Sequence, residues 1–362
     1  VYKRQAHMAR RPGLKALELF QAVERGEVKA LWVMATNPAV SMPDANQVRR
    51  ALAKCEFLVV SDCVDETDTS VHADVLLPAL AWGEKDGTVT NSERRVSRQR
   101  AFLDSPGEAR PDWWIVSAVA RHLGYAGFGY RSAHEIFTEH ARLSAFENNG
   151  DRDFDLSGLA DLSGPDFEAL TPVQWPVRAG ETNGQARLFS DGAFFTPSRR
   201  ARFVAVTPRP PGMGTSSEYP LVLNTGRVRD QWHTMTRTGK SPRLSGHVVE
   251  PYAELHPVDA QTLSVADGEL VQLTSQWGQV LLRARVAETQ RRGSVFVPMH
   301  WNDQFASAAR VDSLVNPFQD PHSGQPEFKH TPVRVSPYRP AWYGFVLSRH
   351  QVDTGAASYW VR

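Results

Sequence analysis

Residues 30–36 read ALWVMAT and residues 57–62 read FLVVSD, two short runs that are apolar almost throughout and carry no polar alternation. Runs of this length and composition are the pattern of strands buried on both faces, as in a parallel sheet covered by helices. What lies around them agrees. Before the first run, LKALELFQAVERGEV (14–28) places Leu14, Leu17, Leu19, Phe20 and Val23 near helical spacing and ends at Gly26, a residue suited to a helix C-cap. Between the runs, PDANQVRRALAKC (43–55) predicts a second helix with Pro43 near its first position and Asp44 in its first turn. A third apolar run, ADVLLPA (73–79), follows the second. Strand and helix alternating in this way predict an α/β fold with a partial, doubly wound parallel sheet.

Further along, RPDWWIVSAVARHLG (110–124) and SAHEIFTEHARLSAF (132–146) predict two more helices. From 147 to 218 Gly, Pro, Asp and Ser become frequent. There ARLFSDGAFFTPSRRARFVAV (186–206) predicts a β-hairpin inside an otherwise irregular connector. After 219 the chain turns to strands: PLVLNTG, ELVQLTS, QVLLRARV, GSVFVPM and TPVRVSP, with HPVDAQTLSVADGE (256–269) supplying one short helix. A closed barrel of about six strands, which leaves no exposed edges, suits these runs better than a flat sheet. The division expected is an incomplete α/β segment at 1–146, a connector at 147–218, a barrel at 219–340 and a tail at 341–362.

Composition narrows the function. Basic and acidic residues balance at 41 and 40, so no net field favours a nucleic-acid or membrane partner, and any anion site must be local. The two cysteines, Cys55 and Cys63, fit neither CxxC nor a metal-knuckle spacing, which suits free thiols in a reducing compartment. No window approaches a membrane-spanning apolar length, and VYKRQAHMARRPG (1–13) has no apolar core of a secretion signal, so a cytoplasmic protein is expected. GxGxxG, the phosphate loop GxxxxGK[ST], GxSxG and HExxH are all absent.

Ligands of open α/β sheets lie beyond the carboxyl ends of strands, where three polar stations fall. Asn37 follows the first strand and either orients a ligand or forms a turn. Ser61 and Asp62 close the second. The Asp62 carboxylate can accept two parallel hydrogen bonds from the edge of a guanine, or serve as an ordinary turn residue. Lys85, just past the third strand, offers a point charge for phosphate, and Asp112 at the head of the WW helix reads most simply as an N-cap. NSERRVSRQR (91–100), with four arginines, reads in isolation as a solvated face. The densest stretch is TGRVRDQWHTMTRT (225–238), with one Gly, three Arg, one His, one Trp and four Thr. Gly226 admits close backbone approach, Arg227 supplies a fork for phosphate, and Trp232 and His233 suit a flat heterocycle. His300-Trp301 reads as core or supporting residues as readily as ligands.

Five separated strings in order carry a resemblance. ALWVMATNPAVSMPDA, FLVVSDCVDETDTSVHADVLLPALAWGEKDGTVTNSERRVSRQR, PGEARPDWW, TGRVRDQWHTMTRTGKSPRL and DPHSGQPEFKHTPVRV resemble the carboxyl-terminal part of the molybdopterin oxidoreductases of the dimethyl-sulfoxide-reductase superfamily. FENNGDRDFDLSGLADLSG with VQWPV, and AWYGFVLSR, resemble the cytoplasmic assimilatory nitrate reductase branch in particular. The resemblance implies a double-psi-like barrel and a bis(molybdopterin guanine dinucleotide) cofactor carrying molybdenum. It implies that Asn37, Ser61, Asp62, Lys85 and Asp112 hold guanosine and phosphates. It also implies that Thr225, Gly226, Arg227, Val228, Arg229, Asp230, Gln231, Trp232, His233 and Thr234 wrap a pterin and pyrophosphate, with Asp312 and Lys329 as further contacts. At Asp312 many relatives carry Asn. Met299 takes the place of an aromatic residue that some relatives direct at the substrate. The family's iron–sulfur domain (a 4Fe-4S cluster) and molybdenum-ligating residue lie upstream of these strings, so this chain resembles a piece that would not turn over alone. Nitrate reduced to nitrite, with electrons from a donor protein or reductase subunit, is the implied reaction. A formate dehydrogenase of the same superfamily and a non-catalytic nucleotide-binding module are the alternatives.

Overall fold

The computed structural model describes residue 9 and residues 11–350, 352–355 and 357–362. Residues 1–8, read above as lacking an apolar core, lie outside the described residues. The chain divides into two compact units that interleave in sequence: one is formed by 12–76 with 209–362, the other by 77–208.

The first unit opens with helix α1 (Ala16–Glu24), strand β1 (Ala30–Met34), the short helix α2 (Pro38–Ser41), helix α3 (Ala45–Lys54) and strand β2 (Phe57–Asp62). Strands β1 and β2 run parallel, with Val33 opposite Val60. Strand β3 (Val75–Pro78) lies next to β2 and carries the chain out of this unit. Phe20 and Val23 of α1 and Val48, Ala51 and Leu52 of α3 pack on Val33, Leu58 and Val60. The helices thus cover one face. Burial of both faces, expected from the uniform apolar runs, is not what the structure has: Phe57 and Leu76 are each 48% exposed. Helix α3 also starts later than its Pro43 suggested. Asp44 is its N-cap, in left-handed conformation (φ 46°), and its carboxylate accepts from the Gln47 amide.

The second unit contains the antiparallel hairpin β4 (Gly87–Thr90) and β5 (Arg95–Gln99), helices α4 (Asp112–His122), α5 (Ala133–Ala145) and α6 (Gly164–Glu168), and the two-residue strand β6 (Val173–Gln174) paired to β5. Its core joins Val96, Phe137, Ala141, Leu156, Leu159, Phe167 and Val177. Two expectations fail here. NSERRVSRQR is not a solvated face, because it forms the hairpin and buries Arg98. That side chain, 2% exposed, reaches Asp86 (2.6 Å) and Glu168 (2.5 Å) and lies over the Phe167 ring. The hairpin predicted at 186–206 does not form: the segment has no strand, and Phe189 and Phe194 stack on each other at 4.6 Å with no sheet to join.

Returning to the first unit, strands β7 (Leu221–Gly226), β8 (Tyr252–Leu255), β9 (Leu270–Thr274), β10 (Gln279–Val286), β11 (Ser294–Pro298) and β12 (Thr331–Pro337) close a barrel in the order β10-β8-β11-β7-β12-β9. Helices α7 (Pro242–Ser245) and α8 (Pro257–Thr262) lie in its connections. The pairs β7–β11 and β8–β10 are parallel and the rest antiparallel. Each strand turns alternate apolar residues inward, Leu221 and Leu223 from β7, Val271 and Leu273 from β9, Val333 and Val335 from β12, and Trp301 and Leu314 join this core. An α/β segment followed by a closed six-stranded barrel is the architecture expected. Strand β8 went unread because YAEL is short and half polar.

Candidate functional site

The site is built where the first unit's sheet ends and its barrel loop begins. Directly after strand β1, Ala35 is held in left-handed conformation (φ 53°) while its amide donates to the Ser61 carbonyl near the end of β2. Ser61 is fully buried, and its hydroxyl accepts from the Trp32 indole at 2.8 Å. Asp62 is half-buried; one carboxylate oxygen accepts from the Val64 amide (3.2 Å), an Asx turn. Beside it, burial and then the Asp62 charge push the Cys63 thiol above its ordinary pKa, which leaves it a poor nucleophile.

Asn37 joins this end of the sheet to the barrel. Its side chain is buried, accepts from the Thr69 hydroxyl (2.6 Å) and donates to the Thr234 hydroxyl (3.2 Å). Two of the stretches singled out in the sequence, one following β1 and one following β7, therefore meet through one carboxamide.

The loop after β7 is a framework of buried polar groups with an exposed outer surface. Thr225 is buried; its hydroxyl donates to the Phe328 carbonyl, and its own carbonyl accepts from the Lys329 ammonium. Val228 donates its amide to His300 Nε2 at 3.0 Å, and His300 Nδ1 lies 2.6 Å from the His233 carbonyl. Asn302 donates to the Thr234 carbonyl. Gln231 is buried, and its side-chain oxygen accepts from the Thr238 hydroxyl (2.7 Å), while its amide nitrogen has no partner. Facing outward are Arg227, Arg229, which pairs with Asp230, and Trp232, half exposed with its ring edge-on to His233. The Asp230 carboxylate, lowered in pKa by Arg229, also lies 2.8 Å from His247.

A Cβ at Gly226 would stand 2.6 Å from the Phe296 ring on the paired strand, so a side chain there would displace that ring. Met299 continues that strand, and its amide donates to the Gly226 carbonyl (2.9 Å), so it borders the loop. Asp312 is buried, and one of its oxygens has no partner. Burial pushes its pKa up to about 8, opposed by the charges of Lys329 and Arg310, and burial lowers the Lys329 pKa. A carboxyl so placed is a neutral acid at pH 7.

Lys85 and Asp112 belong to the other unit and satisfy each other, ammonium to carboxylate at 2.6 Å. Asp112 is the first residue of α4, whose N-cap is Pro111. That corrects the N-cap reading. Sequence reasoning passed over His300 and Asn302 as site residues. Their only signal was two polar side chains flanking a Trp directly after an apolar strand.

The donor set suits an extended, anionic ligand with flat rings: exposed arginine forks for phosphate, an indole for stacking, and buried amide and carboxyl groups with unused bonding capacity. Among the described residues no group of three His, Cys, Asp or Glu side chains could hold a metal, and no helix is long and apolar enough to cross a membrane.

Comparison with known proteins agrees with this donor set. Residues 4–122 match the family model "Molybdopterin oxidoreductase", and residues 221–332 match "Molydopterin dinucleotide binding domain". The chain belongs to the molybdopterin oxidoreductase family. It is similar to a nitrate reductase of Klebsiella oxytoca (51% identity over 98% of this chain and 40% of that protein). The assimilatory nitrate reductase catalytic subunit of Bacillus subtilis is 35% identical over 90% of this chain and 44% of its own length. A putative formate dehydrogenase of Bacillus subtilis is 34% identical over 90% of this chain and 31% of its own length. The chain thus spans less than half the length of these relatives. Among solved structures, acetylene hydratase from Pelobacter acetylenicus superposes with a TM-score of 0.67 at 17% identity, covering 88% of this chain and 46% of that one, which shows a shared fold.

Proposed function

We propose that this chain is the cofactor-binding carboxyl-terminal portion of a molybdenum-dependent nitrate reductase that converts nitrate to nitrite in assimilation. The observation that carries the site is the buried Asn37 bridge, which brings the strand ends of the α/β segment and the loop of the barrel to one place. The similarity to nitrate reductases, one of them at 51% identity, supports the substrate. In this reading the loop from Thr225 to Thr234 wraps the pterin and pyrophosphate of a bis(molybdopterin guanine dinucleotide). Arg227 forks a phosphate and Trp232 stacks on a ring. Gln231, with its unpartnered amide, and Asp312, a neutral acid, lend hydrogen bonds that only a buried polar ligand would use. Asp62 reads a guanine edge through the carboxylate oxygen not engaged by Val64, and Asn37 and Ser61 shape its surroundings. Lys85 and Asp112 contribute as an ion pair beside phosphate. Met299 borders the substrate side. When bound, the cofactor supplies the two-electron chemistry of oxygen-atom transfer; these residues bind it, orient it and exclude water. Iron–sulfur centres elsewhere in the longer protein, a soluble electron donor and a cytoplasmic setting complete the proposal.

The test is Asp62→Asn in the full-length enzyme. It replaces a two-bond acceptor with a group that can accept only one. Molybdenum per chain is expected to fall about tenfold. Unchanged occupancy would remove Asp62 from the site, and formate rather than nitrate turnover by the wild-type enzyme would reassign the substrate.

A further inference from the structure

The loop that the proposed function assigns to the cofactor has a strained backbone. His233 and Met235, on either side of Thr234, both take left-handed backbone angles (φ 46° and 61°) that non-glycine residues adopt at a cost. Such a turn persists only where its surroundings hold it. Three of the polar bonds that do so come from one tripeptide leaving β11, HWN at 300–302. His300 Nε2 accepts from the Val228 amide, which opens the turn, and His300 Nδ1 meets the His233 carbonyl, which enters the strained pair. Asn302 donates to the Thr234 carbonyl between them. All three residues of the tripeptide are buried, at 0%, 1% and 0% exposure, with Trp301 anchored in the barrel core.

We infer that His300, as a neutral imidazole with its proton on Nδ1, is a positioning residue that preforms the loop before ligand binds and releases it on protonation. The chemistry follows from the two bonds. A carbonyl needs a donor, so Nδ1 carries the proton; an amide N–H needs an acceptor, so Nε2 must be bare. A second proton on Nε2 would set two donors against each other at Val228. Burial above all, and then the charges of Arg227 and the His233 ring, disfavour that proton; the bond to the His233 carbonyl favours it, and the balance lowers the pKa of His300. The inference rests on the reading of this loop as a cofactor site only for what the loop binds, not for the clamp itself.

The test uses full-length protein produced without cofactor, with hydrogen exchange read at the Val228 amide and corrected for the intrinsic pH dependence of exchange. In the wild type that amide is protected at pH 7.5. His300→Phe keeps the ring but loses both bonds and should speed its exchange about tenfold or more, with a matching fall in molybdopterin uptake. His300→Gln, whose side-chain oxygen can take the place of Nε2, should retain most of the protection and uptake. Wild-type protection should fall as pH drops below 6.5 through the lowered pKa of His300, and in His300→Gln that dependence should vanish. An unprotected Val228 in the wild type, unchanged protection in His300→Phe, or the same pH profile in His300→Gln would each overturn the inference. Should His300→Phe fail to fold, the wild-type and His300→Gln profiles decide. A wild type that takes up no molybdopterin would defeat the functional reading while leaving the exchange results to judge the clamp.

Discussion

Replacing Asp312 with Asn should stabilise this protein, and the gain should depend on pH in one direction. Asp312 is buried with one oxygen unpartnered, and burial raises its pKa from 3.8 to about 8. The folded chain therefore keeps the proton while the unfolded chain releases it above pH 4. Stability attributable to this carboxyl is greatest below pH 4, falls as pH rises toward 8, and is flat above that. At about 1.4 kcal/mol per pKa unit, the penalty at pH 7 reaches about 4 kcal/mol, an upper figure because buried sites relax and admit water. Asn has the same shape, does not titrate and still offers a donor and an acceptor. The assay is urea unfolding of cofactor-free full-length protein, wild type against Asp312→Asn, from pH 4.5 to 8.5. The gap between the two should open up to about pH 8 and level off above it. Parallel curves, or an Asn variant less stable at pH 7, would refute the claim that Asp312 is a neutral buried acid.

Two further substitutions probe each unit by itself. Asn37→Ala deletes both halves of the bridge and leaves the Thr69 hydroxyl proton and the Thr234 hydroxyl without that partner, so unfolding should show a loss of about 1–3 kcal/mol together with reduced molybdenum content; a stability loss with full molybdenum content would make the bridge structural only. Arg98→Lys cannot fork to Asp86 and Glu168 or lie flat over Phe167, so it should cost about 2 kcal/mol and expose 77–208 to limited proteolysis; an unchanged cleavage pattern would show that the pair of carboxylates adds nothing.

Much of the architecture was legible because apolar period translates directly into packing. Leu17, Phe20 and Val23 recur at helical spacing and are buried, Phe20 and Val23 in one core, and the runs at 221–226, 279–286 and 331–337 became barrel strands. The failures have physical causes. SDGAFF at 190–195 has the turn and the apolar flanks of a hairpin, but no neighbouring sheet takes up its edges, so local stacking of Phe189 on Phe194 replaces pairing. Arg98 is indistinguishable in sequence from its exposed neighbours; two carboxylates at 86 and 168 and a ring at 167 make its burial tolerable, and one string of residues does not display that coincidence. The site was half visible. Side chains on the loop's outer surface, such as Arg227 and Trp232, announce themselves as an unusual density of donors. Those that hold the loop from behind, His300 and Asn302, sit in a barrel core where polar residues carry no periodic signal. The contact that crowds Gly226 was not visible in the sequence, since Phe296 is remote along the chain and adjacent only once β7 and β11 pair.

The central claim is that the Asn37 and Asp62 end of the sheet and the loop following Gly226 grip one pterin nucleotide. It is tested most directly by denaturing the purified full-length protein in acid and identifying the released nucleotide by mass, alongside molybdenum per chain. The account predicts a guanine nucleotide at two per molybdenum. Release of no nucleotide, or of one lacking guanine, would contradict it.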